Sequence, residues 1–369
     1  MSKSVLISTM HRGNNYGSAL QVFALSEFIK QLGVKPIVLD YIPKRINEKN
    51  KIIHLLKQLI RNKPLSEKYQ ALRGIIIAIS SYGCYNSFFK KNLYLTKKYH
   101  NIKKLQNKFP IADIYMTGSD QVWNSVYNQG IDPVFFLSFV PNDKTKVSYS
   151  ASFGRDKLEQ WEIDSTKKLL DRYDFISVRE LSGLKILRSI GITDAKCVLD
   201  PTFLLDHHDW RKRLIPHKNK EKYVLIYSVE PEKKALINAA RILADKIKAK
   251  VYMVEWGKKP YSGVDKMISL VDPLKLIDYF DKAEFVIASS FHGTALSINL
   301  HKQFISFSPN RFNTRVKSIL EITELEDRLI ELSEFSLEKA LVKIDYTKVD
   351  KLIEPFRNES INYLRNILK

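Results

Sequence analysis

The sequence predicts an α/β protein built from two successive units, each on a parallel sheet, and three observations predict it. Short apolar and β-branched runs alternate with segments of helical periodicity along the chain, and such alternation folds as βαβ units. The alternation is interrupted near 206–221 by a polar stretch marked by His207, His208, Lys212, Pro216 and, up to its far edge, the lysines at 218, 220 and 222, and then resumes. Finally, 369 residues are more than one core of ordinary size uses.

Val5 to Thr9 reads as a buried strand. From Ser18 to Leu32, the residues Leu20, Phe23, Leu25, Phe28 and Ile29 recur at helical spacing, and Gly33 stops the helix. Lys35 to Tyr41 is a second strand, so the chain opens as βαβ. Strands are predicted again at Ile111–Thr117, Lys146–Ser150, Phe175–Val178 and Lys196–Leu199, with helices at Trp161–Tyr173 and Leu181–Ile190. The second unit has strands at Tyr223–Val229, Val251–Trp256, Phe285–Ala288 and Phe304–Phe307, and helices at 232–247, Pro273–Phe280 and Thr294–Leu300. Asp350 to Leu368 is amphipathic through Leu352, Ile353, Phe356, Ile361, Leu364 and Ile367. We place the N-terminal unit at 1–207, the C-terminal unit at 208–345, and a last helix at 346–369 free to cross back. Two Rossmann-like domains joined in this way describe a GT-B-like arrangement, with the binding site in the cleft between them.

The formal net charge of +20 is regional. Residues 44–108 carry 16 Lys and Arg against Glu48 and Glu67, a balance of +14. This basic stretch reads as a helical insertion in the first domain, with Ile52, Ile53, Leu55, Leu56, Leu59 and Ile60 on a broad apolar face and Phe88–Phe89 beyond Ser80-Ser81-Tyr82-Gly83. It is either a solvated hairpin covering the sheet or a basic, aromatic surface facing an anionic membrane. A nucleic-acid partner is disfavoured because no nucleic-acid module is visible. Two cysteines, Cys84 and Cys197, build neither a disulfide framework nor a four-ligand zinc site. That usage, an N-terminus unlike a signal peptide, and a longest apolar run of only Ile75 to Ile79 point to a cytoplasmic protein.

Three loops follow strands where a parallel sheet binds ligands. Ser289-Ser290-Phe291-His292-Gly293-Thr294 opens a helix, so its backbone N–H groups and hydroxyls offer a phosphate cradle around a histidine able to exchange a proton near neutrality. In the loop after the first strand, Asn15, Tyr16, Gly17, Ser18 and Gln21 offer groups suited to sugar hydroxyls or a diphosphate. In Gly118 to Asn124, Asp120 is a candidate base toward a hydroxyl, Gln121 and Asn124 are hydrogen-bonding amides, and Trp123 offers a flat face for a pyranose. Arg179, ending a strand beside Glu180, could clamp a carboxylate or phosphate or form an internal salt bridge; Arg311 and Arg315 are further anion-binding candidates. No P-loop and no strand-linked G-x-G-x-x-G is present, which disfavours P-loop kinases and dinucleotide dehydrogenases. His207-His208 reads as a solvated pair, and no metal signature is visible.

Taken in order, Asn14–Gln21, Gly118–Asn124, Ser148–Gly154, Ser177–Glu180, Leu199–Thr202 and Ser289–Thr294 resemble the polysaccharide pyruvyl transferase family over roughly residues 4 to 325. The resemblance implies a GT-B-like transferase that moves pyruvate from phosphoenolpyruvate onto a sugar hydroxyl pair as a ketal, in bacterial capsule, exopolysaccharide or cell-wall polymer assembly. Phosphoenolpyruvate is then a co-substrate and no metal or other cofactor is needed. His292 becomes the acid or base, Arg179 the donor clamp, the N–H groups after His292 the phosphate contact, and Asp120 the partner of the acceptor hydroxyl. Family members often carry arginine two positions before the histidine, where this chain has Ser290, and Arg179, Arg311 or Arg315 are the available replacements. Together with the basic insertion, the resemblance implies a polyprenyl-diphosphate-linked oligosaccharide acceptor at the inner membrane face. The alternatives are a glycosyltransferase using a nucleotide sugar and a non-catalytic, membrane-associated partner of a polysaccharide assembly complex.

Overall fold

The computed structural model describes residues 3–43, 46, 48–60, 64–218, 220–230, 233–255, 261–307, 314–331 and 334–369. Among the described residues, twelve short strands form the sheets: β1 Ser4–Ser8, β2 Lys35–Val38, β3 Ile114–Thr117, β4 Thr145–Ser148, β5 Ser177–Val178, β6 Lys196–Cys197, β7 Tyr223–Tyr227, β8 Lys250–Val254, β9 Lys266–Ile268, β10 Phe285–Ala288, β11 Phe304–Phe307 and β12 Leu329–Ile330. The first sheet runs β2-β1-β3-β4, and isolated bridges Val147–Phe175 and Ala151–Val178 lead it on to the β5-β6 pair. The second runs β12-β11-β10-β7-β8-β9. Every strand pair is parallel, so the loops at the carboxyl ends of β1, β3, β5, β7 and β10 gather at one edge of their sheets. β9 and β12 are additions to the expected strands; each has three residues or fewer, too short to set up a readable alternation.

The two units meet over a broad apolar contact. One hydrophobic cluster contains Ala19, Leu20, Phe23, Phe203 and Trp210 together with Leu276, Phe280, Leu296 and Leu300. The helix Tyr346–Leu368 joins the same cluster through Val349, Ile353, Leu364 and Ile367, while Phe356 is partly exposed. It crosses to the first sheet, where Leu199 N–H donates to Ser360 Oγ (2.9 Å) and the Tyr363 hydroxyl donates to Ser148 O (2.9 Å).

The basic insertion is helical, and its second helix is long. It runs unbroken over Leu65–Asn92, through Ser80, Ser81 and Gly83, and packs against the helix Glu48–Ile60. The helices come close where Gly74 meets Leu55: a Cβ on Gly74 would lie 3.2 Å from a Leu55 methyl. Ser81 is buried and Gly83 faces open space, so the small residues mark packing and solvent faces of one helix and not a turn. Ile53, Leu56 and Ile60 on the first helix remain exposed. Among the described residues, no helix is long and apolar enough to cross a membrane.

Candidate active site

The loop ends of both units close around a cavity of about 250 Å³. The first unit contributes Asn15, Asp120, Gln121 and Tyr127; the second contributes Tyr227, Val229, Glu230, Ser289, Ser290, Phe291, His292 and Arg315. Its back wall is a charged cluster with almost no access to water. Asp200 Oδ2 accepts from Arg179 Nη1 (2.7 Å) and Ser119 Oγ (3.0 Å), and Oδ1 accepts from the backbone N–H and hydroxyl of Thr202 (3.0 and 2.8 Å). The Arg179 side chain is 1% exposed, and its guanidinium lies over the Phe291 ring at 4.4 Å. Its Nη2 is 3.6 Å from Asp120 Oδ1. Glu180 Oε1 takes hydrogen bonds from Ser152 Oγ and the Phe153 and Gly154 N–H groups.

Asp120 sits at φ +74°, a left-handed conformation that Asp tolerates better than most residues, and this turns its carboxylate inward. Its oxygens take the Ser18 hydroxyl (2.6 Å) and the Gln121 N–H (2.9 Å) and face Arg315 Nη1 at 3.8 Å. Burial alone would raise its pKa, but the charges of Arg179, His292 and Arg315 outweigh burial and hold the carboxyl well below the usual range. A carboxylate so stabilised is a weak proton acceptor, and its contacts with Ser18, Gln121 and Arg315 make it a charged wall of the cavity.

His292 lies in the first turn of the helix Phe291–Asn299, with Nε2 3.8 Å from Asp200 Oδ2. Burial pushes its pKa below 6.5, against the pull of Asp200 and Asp120, so the imidazole is neutral at pH 7. Because the unfolded chain then takes up this proton more readily than the folded one, the site destabilises the fold as pH drops below 6.5. The position of the ring depends on Gly17, where a Cβ would lie 2.2 Å from His292 Nδ1. Arg315 is pushed down to about 10 by burial and by Arg179, against the attraction of Asp120, and its Nε has no hydrogen-bond partner among the described residues. It is therefore an incompletely compensated positive charge facing the cavity.

Several expected contacts are corrected. Arg179 does not line the cavity; it is locked to Asp200 behind Phe291, and this makes it a positioning residue for the cluster in place of a direct clamp. Gly293 N–H donates to Oγ of the N-cap Ser290, and Thr294 bonds to Ser290 O and Ser306 Oγ, so the polar groups of these two residues are taken up within the helix start and do not face the cavity. Trp123 is a core residue, 2% exposed, stacked on Phe136 with its indole N–H on Phe135 O, and offers no face to a sugar. Gln21 is fully buried and donates to Thr9 and Met10; Asn124 is fully buried, capping the Ser125–Asn128 turn and donating to Gln121. Tyr16 donates across to Val271 O (3.0 Å), and Gly17 and Ser18 act through His292 and Asp120. Asn15, Gln121, Ser289, Ser290, His292 and Arg315 do line the cavity, while Arg311 lies outside the described residues. Sequence reasoning assigned no role to Asp200, Tyr227 or Phe291. Asp200 had a signal, an Asp-Pro-Thr just past a strand, whereas Tyr227 and Phe291 read as ordinary core residues.

The polysaccharide pyruvyl transferase family profile matches residues 15–311, and the chain belongs to this family. No curated protein sequence matches. Among solved structures, the fold is similar to the UDP co-structure of S. aureus MnaA (TM-score 0.51, 11% identity, 96% of this chain and 87% of that one). It is also similar to a trehalose-6-phosphate synthase, OtsA (TM-score 0.51, 9% identity, 100% and 99%) and to the N-terminal domain of a Candida albicans trehalose-6-phosphate phosphatase (TM-score 0.51, 9% identity, 100% and 97%). The two-unit architecture is thus GT-B-like, and the chain is a polysaccharide-modifying transferase by family.

The contact between Gly17 and His292 separates packing from propensity. Gly17→Ala should destabilise the protein by about 1–3 kcal/mol through overpacking. Gly83→Ala, with open space at the Cβ position, should stabilise it by about 0.5–1 kcal/mol. Urea denaturation of the two variants checks both signs.

Proposed function

We propose that the chain transfers pyruvate from phosphoenolpyruvate onto two hydroxyls of a sugar, forming a cyclic ketal and releasing phosphate. The acceptor in this reading is an oligosaccharide on a lipid carrier, reached from the inner face of the membrane by a cytoplasmic, peripheral protein. The observation that carries it is the pairing of Arg315 with a neutral, buried His292 at one small cavity. The family's donor is a compact trianion, and a half-compensated guanidinium beside a histidine that gains basicity as an anion arrives suits it. Arg315 stands in for the arginine absent at Ser290.

Donor binding favours the imidazolium of His292, with Asp200 supporting the charge. His292 then gives its proton to the methylene carbon, creating oxocarbenium character at the adjacent carbon. The first sugar hydroxyl bonds to that carbon and its proton returns to His292. The bond to the phosphate oxygen breaks, the second hydroxyl closes the ring, and its proton leaves with phosphate. Asn15 and Gln121 are the acceptor-side groups left at the cavity. The membrane part of the reading draws on the +14 balance of residues 44–108 and the exposed apolar side chains of the insertion.

Acceptor-dependent phosphate release from phosphoenolpyruvate should fall roughly 10²–10⁴-fold in His292→Ala, the range of general acid–base catalysis. Undiminished release would remove His292 from the chemistry. A second reading, glycosyl transfer from a nucleotide sugar, is favoured by the fold shared with a UDP-bound structure. Ligands stabilise the folded state by mass action, so phosphoenolpyruvate should raise the melting temperature and UDP-sugars should not. The opposite pattern would select the second reading.

A further inference from the structure

A second, larger cavity of about 670 Å³ lies on the other side of the loop after β1. That is a usual size for a small-molecule site. Its walls are Ile42, Ile46, Ile52, Ile79 and Phe89, contributed by the chain after β2 and by both insertion helices. Arg12 is also present, but its Nε and Nη2 donate to Asp40 (2.8 and 2.7 Å), its Nη1 donates to Asn86 Oδ1 (3.3 Å) and its face lies over Phe89, so it closes the groove without adding net charge. The remaining ionisable groups that line it are the bases Lys98 and His100 and two tyrosines; none of the described lining residues is acidic.

Two further observations connect this groove to its surroundings. Asn14 lines the groove and Asn15 lines the catalytic cavity, so the two spaces are one loop apart. On the outside, Leu65, Tyr69, Leu72, Ile76 and Ile79 are all exposed, and their spacing of four, three, four and three residues puts them on one face of the Leu65–Asn92 helix. Such a stripe on a strongly basic segment suits an anionic lipid interface. Ile79 is both the last residue of the stripe and a wall of the groove. A hydrocarbon chain could therefore pass from the stripe into the groove over continuous apolar surface.

We propose that this groove holds the hydrocarbon chain of a phosphate-bearing amphiphile, whose polar end is thereby delivered to the loop bordering the catalytic cavity; this rests on the reading of the acceptor as lipid-linked. The apolar walls take the chain, and the basic rim of Lys98 and His100 complements its phosphate. The insertion is then a chain-binding device as well as a membrane-facing surface.

The test uses the full-length protein and farnesyl phosphate below its micelle concentration, with inorganic phosphate as the head-only control. Calorimetric titration should show farnesyl phosphate binding at least about tenfold more tightly than inorganic phosphate. Ile79→Glu should weaken farnesyl phosphate at least about tenfold, and Ile79→Ser less, whereas Leu65→Glu at the far end of the stripe should change it by less than about twofold. Ile79 is already half exposed, and unchanged melting temperatures of the variants confirm that folding is intact. Equal weakening by Ile79→Glu and Leu65→Glu would place the chain on the outer stripe and overturn the groove. So would no effect of Ile79→Glu, or no preference over inorganic phosphate. Binding is read without phosphoenolpyruvate, so failure of the groove and failure of pyruvyl transfer are seen separately.

Discussion

The Arg179–Asp200 ion pair at the seam of the two units is the contact on which the candidate site depends. Burying two opposite charges costs several kcal/mol per ion, and they are tolerated only when their remaining hydrogen-bonding groups are also met. Ser119 and Thr202 complete Asp200, and Asp120 and the Phe291 ring flank Arg179. The pair in turn fixes the electrostatics of what faces the cavity. Asp200 is the nearest carboxylate to His292, and Arg179 is the neighbour that, after burial, most lowers the pKa of Arg315. Around this cluster, three carboxylates (Asp120, Glu180 and Asp200) stand against two guanidiniums (Arg179 and Arg315). In the proposed reaction an incoming anion would add to the negative side of that balance, and the neutral His292 would be the group to offset it by taking a proton. Charge balance thus links anion binding to protonation of His292.

Much of the architecture was legible because each buried parallel strand is a compact apolar run with a recognisable stop. Val5–Ile7, Tyr223–Tyr227 and Phe285–Ala288 are examples, and the segments after the first and the last of these, read from the sequence as rich in polar groups, do supply Asn15, Ser289, Ser290 and His292 to the cavity. What could not be read was which polar groups face the cavity. Trp123 and Asn124 sit in a loop, and Gln21 in a helix start, rich in sugar-binding residue types, yet each side chain turns inward to satisfy backbone or neighbouring groups in the core. Arg179 and Arg315 are equally basic on paper. Only the fold assigns one to an internal ion pair and leaves the other short of partners, since Asp200 lies 21 residues from Arg179 in the chain and Asp120 is far in sequence from either arginine. The Leu65–Asn92 helix continues through Ser80, Ser81 and Gly83 because one side packs and the other is open.

The insertion gives the GT-B-like frame an apolar annex. Its two helices pack on each other through Gly74 and Leu55, one face of the longer helix enters the main core through Tyr85, Phe88 and Phe89, and the opposite face stays bare. Solvent-facing helix surfaces are normally polar, and this bare face is what the proposed lipid contact would cover. The loop carrying Arg12 to Asn15 borders both this annex and the candidate cavity, and it leads into the helix that sets Gly17 against His292.

The central claim, that a buried and neutral His292 becomes protonated when an anionic donor binds, is tested most directly by NMR titration of its imidazole, assigned by comparison with His292→Gln. We predict a pKa below 6.5 in the free protein and a higher one with phosphoenolpyruvate bound. A free-state pKa at or above 6.5, or one that phosphoenolpyruvate leaves unchanged at saturation, would contradict it.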